Sequence, residues 1–261
     1  MNETVLYKAD GGIAKITLNR PDRLNAMNAD LLQGAVDALE EAAHDTSVRV
    51  VIFTGAGRGF CAGGDLSASD TLGSGNTDTR IGVLQALQRS SRLLREMPKV
   101  TIAAINGPCA GGGMSWAAAA DLRYAAASAK FTTAYLNAGL SGDFGGTWTL
   151  PRIVGSARAR ELYLLSDKFT AVEAEHYGFI SKMLPDEELM THVDAVASRL
   201  LAAAPVALRQ IKQNLNDAEV VSFNQALDTE AERHVRTGES PDSAEARKAF
   251  FERRPPNFSG Q

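Results

Sequence analysis

Hydrophobic and polar positions follow two periods along the first two thirds of the chain. Val5 to Tyr7 and Ile13 to Leu18 are short β-rich runs, separated by the hairpin-type turn Asp10-Gly11-Gly12. Asn28 reads as a helix N-cap. After it, Leu31, Leu32, Ala35, Val36, Leu39, Ala42 and Ala43 fall at helical spacing on one face. VRVVIFTG (Val48 to Gly55) and KVTIAAING (Lys99 to Gly107) are continuous apolar runs of the kind covered on both faces of a sheet. Between them, SASDTLGSGNTDT (67–79) has the composition of a loop or lid. Ile81, Val83, Leu84, Leu87 and Leu94 predict one helix ending before Pro98. An alanine-rich helix from about Gly113 to Ala120 and a strand near Leu122 to Ala126 follow.

The last third carries almost no β-rich run. Thr170-Ala-Val-Glu173 is a capping box opening a short helix that Gly178 closes. Leu189, Val193, Val196, Ala197, Leu200 and Leu201 mark a longer helix; Pro205 opens another, and Phe223, Ala226 and Leu227 begin a fourth. The expectation is an α/β core over 1–184 and a helical region over 185–261.

Bulk composition narrows the function. With a formal net charge of -4 and a pI near 5.6, nothing points to nucleic acid or an anionic membrane as a partner. The N-terminus lacks an apolar h-region and no apolar run reaches the roughly 18 residues of a span. Cys61 and Cys109 show no metal-type spacing, and the four histidines are scattered. These features predict a cytoplasmic protein without a metal site.

Two glycine-rich loops follow the buried runs: TGAGRGFCAGGDL (54–66) and NGPCAGGGMSWAAAA (106–120). A dinucleotide fingerprint in GAGRG fails because its third glycine comes one residue early and no helix begins there. Gly113-Met114-Ser115-Trp116-Ala117 approaches a nucleophile elbow, with His176, His192 and His234 downstream, but ends in alanine and lies far from its strand. The third reading treats both loops as backbone donors: one free N–H from each, converging on a carbonyl oxygen, makes an oxyanion hole.

At this point the chain resembles the enoyl-CoA hydratase/isomerase (crotonase) superfamily. The resemblance is carried by LNRPDRLNAM (18–27), GRGFCAGGDL (57–66), AAINGPCAGGGMSWAAAADLRYAA (103–126), GGTWTLPRIVG (145–155) and AFFERRPPNF (249–258). It implies an α/β fold, a crotonase-like spiral of ββα repeats with a C-terminal helical region, assembled as a homotrimer or homohexamer. It implies an acyl-CoA thioester as substrate and no separate cofactor, coenzyme A being carried by the substrate. By motif position, the oxyanion N–H groups are those of Ala62 and Gly112. Arg23, Leu24 and Ala26 border the CoA adenine and pantetheine, Gly64, Asp65 and Leu66 line the same channel, and Ala110 and Gly111 belong to the binding loop. Asp65 has a mainly structural reading, and Arg253 or Arg254 are the cations for CoA phosphates.

The chain departs from the hydratase pattern where it matters most. The two positions at which the resemblance places the hydratase glutamates are Ser115 and Tyr135, and neither is a good base near neutrality. GLSGDFGGTWTLPRIVG (139–155) is most similar to the epoxyphenylacetyl-CoA isomerase type, which has an aspartate in this loop. Asp143 is therefore the candidate proton shuttle, desolvated by Leu140, Phe144 and Trp148. Three alternatives stay open: a hydratase with other acid/base groups, an aryl-CoA dehalogenase or hydrolase using Asp143 as nucleophile, and a non-catalytic acyl-CoA binder. Asp70 and Asp78 are loop acids that either enter the site on closure or merely solvate the loop.

Overall fold

The computed structural model describes residues 3–68 and 71–260. β1 (Val5–Asp10) and β2 (Ile13–Leu18) pair antiparallel, with Asp10 opposite Ile13. Gly11 and Gly12 between them take φ of 53° and 87°, the positive values such a turn demands. α1 (Ala29–His44) begins where the Asn28 side chain accepts the Leu31 N–H at 3.0 Å. It buries the apolar face expected of it, including Leu31, Ala35 and Leu39.

β3 (Val50–Gly55) is buried at every position. The helix predicted over 81–94 is two helices, α2 (Thr77–Leu87) and α3 (Arg89–Glu96), because the chain breaks at Gln88, whose N–H turns back to Leu84 and Ala86. β4 (Val100–Ile105) is again wholly buried. β5 (Cys109–Ala110), α4 (Gly112–Ala119), β6 (Leu122–Ala126) and β7 (Lys130–Thr132) follow. Then come α5 (Gly146–Val154), α6 (Ser156–Leu165), β8 (Phe169–Thr170), α7 (Ala171–His176) and β9 (Lys182–Leu184). The six-stranded sheet runs β1-β2-β3-β4-β6-β9, parallel except for β1, and a small mixed sheet runs β5-β7-β8.

Strand alternation explains why β3 and β4 are apolar throughout. Val51, Phe53, Ala103 and Ile105 point into the larger core with α1, α3 and α4. Val50, Ile52, Ile102 and Ala104 point the other way, onto Leu189, Val193 and Ala197 of α8 (Leu189–Leu201). The first helix of the C-terminal region is thus the cover of the sheet's second face. α9 (Pro205–Ala218) sends the buried Lys212 back to Asp121 at 2.8 Å and to the carbonyl of Lys99. α10 (Phe223–Gly238) and α11 (Pro241–Glu252) bury almost nothing: Phe223, Val235, Phe250 and Phe251 are 59–81% exposed. Among the described residues, no helix is long and apolar enough to cross a membrane.

Candidate active site

The loops leaving β3 and β4 lie at the same end of a parallel sheet, where α/β folds hold ligands. They are bound to each other by backbone. The Asn106 amide donates to the Gly55 and Gly57 carbonyls, both at 2.9 Å, and accepts the Gly55 N–H. A Cβ at Gly107 would stand 2.1 Å from the Arg58 carbonyl oxygen, so glycine there is a packing requirement. Further on, Cys61 and Cys109 form a parallel bridge, with the Ala110 N–H on the Cys61 carbonyl at 2.9 Å. Both thiols are buried, and burial pushes Cys61 up to about 12, which leaves an inert packing thiol.

Following each N–H in the first loop changes the expected donor. The Ala62 N–H is already spent on the Leu24 carbonyl at 3.0 Å. Gly63 faces the Cys61 sulfur, and Asp65 donates to the Met27 carbonyl at 2.9 Å. Gly64 pairs with Met27 in a parallel bridge made by its neighbours' Gly63 C=O and Asp65 N–H, so its own N–H turns to the opposite side. From Phe60 to Asp65, Gly64 alone keeps an N–H without a partner among the described residues. The N–H expected to be free at Ala62 is therefore occupied, and the one this loop leaves open is that of Gly64; the bridging register that decides this is supplied only by the fold. In the second loop the Gly111 N–H is taken by the Thr132 carbonyl at 3.1 Å, whereas the Gly112 N–H opens α4 with no capping side chain. The two free donors come from loops in contact: a Cβ at Gly63 would stand 3.0 Å from the Ala110 oxygen.

A third segment reaches this junction. Residues 139–145 need positive φ at Gly142 (114°), Phe144 (50°) and Gly145 (80°), which explains the glycine content around Asp143. Phe144 is held there although it is not glycine. Its ring is buried edge-on to Trp116 at 5.5 Å and its carbonyl accepts from Ser91 at 2.9 Å. That ring lies 3.3 Å from where a Gly112 Cβ would be, so it delivers Asp143 to the two loops. Asp143 is half-buried. Burial pushes its pKa above the ordinary carboxylate value, and a hydrogen bond donated by Tyr135 to Oδ1 at 2.6 Å offsets part of that. The desolvating neighbours differ from those expected. Leu140 is 60% exposed, and Trp148 is covered by the guanidinium groups of Arg95 and Arg152.

Ser115 and Tyr135 are both buried and touch each other, Oγ to phenol oxygen, at 2.9 Å. Among the described residues no histidine hydrogen-bonds Ser115, so the nucleophile-elbow arrangement is not formed.

The comparisons decide what these loops belong to. A model of the family described as enoyl-CoA hydratase/isomerase matches residues 8–261. The chain belongs to the enoyl-CoA hydratase/isomerase family. It is 37% identical, over the full length of both chains, to an Escherichia coli protein named 1,2-epoxyphenylacetyl-CoA isomerase. It is also 34% identical to a Syntrophomonas wolfei crotonyl-CoA hydratase, covering 98% of each. A putative enoyl-CoA hydratase from Streptomyces coelicolor superposes with a TM-score of 0.94 at 34% identity, over 99% of this chain and 94% of that one. The two mixed sheets with C-terminal helices are accordingly the crotonase fold, and the chain is an acyl-CoA enzyme of this hydratase/isomerase family.

The remaining residues expected from the family resemblance fall into two groups. Ala26 is buried, Leu24 is half-buried, and Arg23 stands exposed beside them; Ala110 and Gly111 pack against Gly63 of the first loop. Asp65 is bound up in a local network of contacts. It pairs with Arg20 at 2.9 Å and accepts from Ser67 N and Oγ, and these contacts hold its pKa down to about 2. Leu66 is 85% exposed. Arg254 is occupied by Glu245 and Glu252, leaving Arg253 exposed. Asp78 lies exposed in the first turn of α2, which Asn76 caps, and Asp70 lies outside the described residues.

Sequence reading missed Asn25. Its backbone is left-handed (φ 56°), it is fully buried, and its amide donates to Ala56 O and Gly59 O while accepting the Arg20 N–H. It fastens the 20–27 turn under the first glycine loop. Asn25→Ala should destabilise by about 3 kcal/mol, because one buried and two part-buried backbone groups lose the partner that a wholly buried side chain supplies. Thermal denaturation should show Tm lower by roughly 6 to 12 °C; an unchanged Tm would refute this bridging role.

Proposed function

We propose that this enzyme shifts a double bond in, or otherwise isomerises, an acyl-CoA thioester, with Asp143 as the proton shuttle. The observation that carries the reading is the polar content of the junction. Asp143 is the carboxylate there, and the two positions where hydratase glutamates are expected hold Ser115 and Tyr135, hydroxyls engaged with each other and with Asp143. Adding water needs one group to activate it and another to protonate carbon. Moving a proton from one carbon to another needs one base that becomes the acid.

In this mechanism the thioester oxygen sits between the Gly64 and Gly112 N–H groups. Both are preorganised, and the N-terminus of α4 adds its dipole to the oxygen's developing charge. The Asp143 carboxylate takes the α-proton of a β,γ-enoyl thioester, the C–H electrons pass into a dienolate, and the new carboxyl returns the proton at the γ-carbon. No water is consumed and the base is regenerated. The raised pKa suits this exchange, since it narrows the gap between the carboxyl and a thioester-acidified carbon. The bare apolar positions on α9, α10 and α11 support a homotrimer or homohexamer.

Vinylacetyl-CoA and crotonyl-CoA in D2O test the reading. The expected result is interconversion, with deuterium entering at the α- and γ-carbons and no hydroxyacyl product. Hydration of crotonyl-CoA without isomerisation would overturn it. So would an acyl-aspartyl adduct seen by mass spectrometry during turnover of an aryl-CoA. Binding of all three thioesters without turnover would point to a non-catalytic binder.

A further inference from the structure

Asp143 stands at the end of a chain of hydroxyls that the proton shift itself does not use. Tyr135 is 2.6 Å from Oδ1, and Ser115 Oγ is 2.9 Å from the Tyr135 oxygen. Ser115 Oγ and the Tyr163 hydroxyl close over Gly146, each 2.4 Å from where a Cβ at that position would stand. A carboxylate accepts only. The Tyr135 proton therefore goes to Asp143, and the Tyr135 oxygen takes the Ser115 proton, directions assigned by satisfying each donor. Oδ2 of Asp143 has no hydrogen-bond partner among the described residues.

Tyr135 is itself immobilised. Its N–H donates to the Thr133 carbonyl at 2.8 Å, and its carbonyl accepts from Ala138 and Leu140. The residue before it, Ala134, is held at φ 60°. Its ring lies parallel to that of Tyr163, 6.1 Å away with 6° between planes. Two neighbouring segments and α6 thus fix one phenol oxygen, and a third segment brings a carboxylate to it. A hydroxyl that merely lined an acyl pocket would not need this much support.

We infer that Tyr135 is a positioning residue for Asp143: its hydroxyl, oriented by Ser115, anchors Oδ1 and turns the unpartnered Oδ2 toward the reacting carbons. The inference rests on Asp143 being the base. It assigns the two former carboxylate positions a joint task, steering the one carboxylate that remains. Tyr163 from α6 and Cys61 from the first glycine loop also face Asp143. Burial pushes each of them up to about 12, and it raises Tyr135 as well, so all three stay protonated while Asp143 titrates. No cation pairs with Asp143 among the described residues, which leaves Tyr135 as the group that stabilises its charge.

The test is a titration of the intact protein labelled with 13C at aspartate carboxyls. The Asp143 resonance is identified by its loss in Asp143→Asn. A hydrogen bond to the charged form lowers a carboxyl pKa, so Tyr135→Phe should move the midpoint upward by about one unit or more. Ser115→Ala should move it the same way by less, and serves as the reading if the phenylalanine variant does not fold. With vinylacetyl-CoA, the acid limb of kcat should follow the midpoint, activity should return at higher pH, and KM should change little. An unmoved midpoint in the folded variants overturns the inference. If Asp143→Asn keeps its turnover, the base assignment falls; if it is inactive and the midpoint still does not move, only the positioning role falls.

Discussion

Asparagine in place of Asp143 should lower kcat/KM for the double-bond shift about 10³-fold, equivalent to ~4 kcal/mol of transition-state stabilisation. The amide has nearly the same shape, and its oxygen still accepts the Tyr135 hydrogen bond. It cannot take a proton. The fold should not suffer; the opposite is expected. Burial raises the Asp143 pKa in the folded protein, so above the unfolded pKa the charge opposes folding, and this penalty fades as pH falls through the folded value. At neutral pH the asparagine variant should therefore melt at the wild-type temperature or higher. Steady-state kinetics beside thermal denaturation reads both effects. Wild-type turnover in the folded variant would remove Asp143 from the chemistry, and a large loss of Tm would mean that the residue supports structure.

Gly113→Ala should be damaging even though alanine is the better helix former. Gly113 lies in the first turn of α4, where propensity alone predicts a gain of about 1 kcal/mol. Its Cβ, however, would stand 2.5 Å from the Cys61 carbonyl oxygen and 2.6 Å from the Cys61 Cβ. Those atoms are backbone and near-backbone, so they yield only if the first glycine loop moves off the helix. That loop carries the Gly64 N–H and the helix carries the Gly112 N–H, so the displacement separates the two donors. Overpacking of this kind costs about 1–3 kcal/mol of stability, and misplacing one oxyanion donor costs roughly 10²-fold or more in kcat. Circular dichroism melting and kinetics on the purified variant should both decline. A more stable, fully active protein would show that the loops do not pack as described.

Much of the scaffold could be read from the chain because its signals are local. The Asn28 cap, the Asp10-Gly11-Gly12 turn, the Thr170 capping box and the two apolar strands each declare themselves within a few residues. β7 and β8 escaped because runs of three and two residues hold no period. α5 and α6 lay across a glycine-rich stretch with Pro151 inside it, and α11 buries only Asp242 and Ala249, too little for an apolar stripe.

The candidate site divides along the same line. The sequence by itself determined which residues are available: two glycine loops after buried strands, hydroxyls at Ser115 and Tyr135, and one aspartate among glycines. It could do so because residue type and spacing are local quantities. Only the tertiary structure decided which of them act together. The Ala62 N–H is consumed by Leu24, 38 residues upstream, and the bridge to Met27 turns the Gly64 N–H the other way, without a partner among the described residues. Trp148 is taken by Arg95 and Arg152, and Tyr135 is turned onto Asp143. Hydrogen bonds and burial are satisfied across the fold, so which donor stays free and which acid loses water depends on partners far away in the chain.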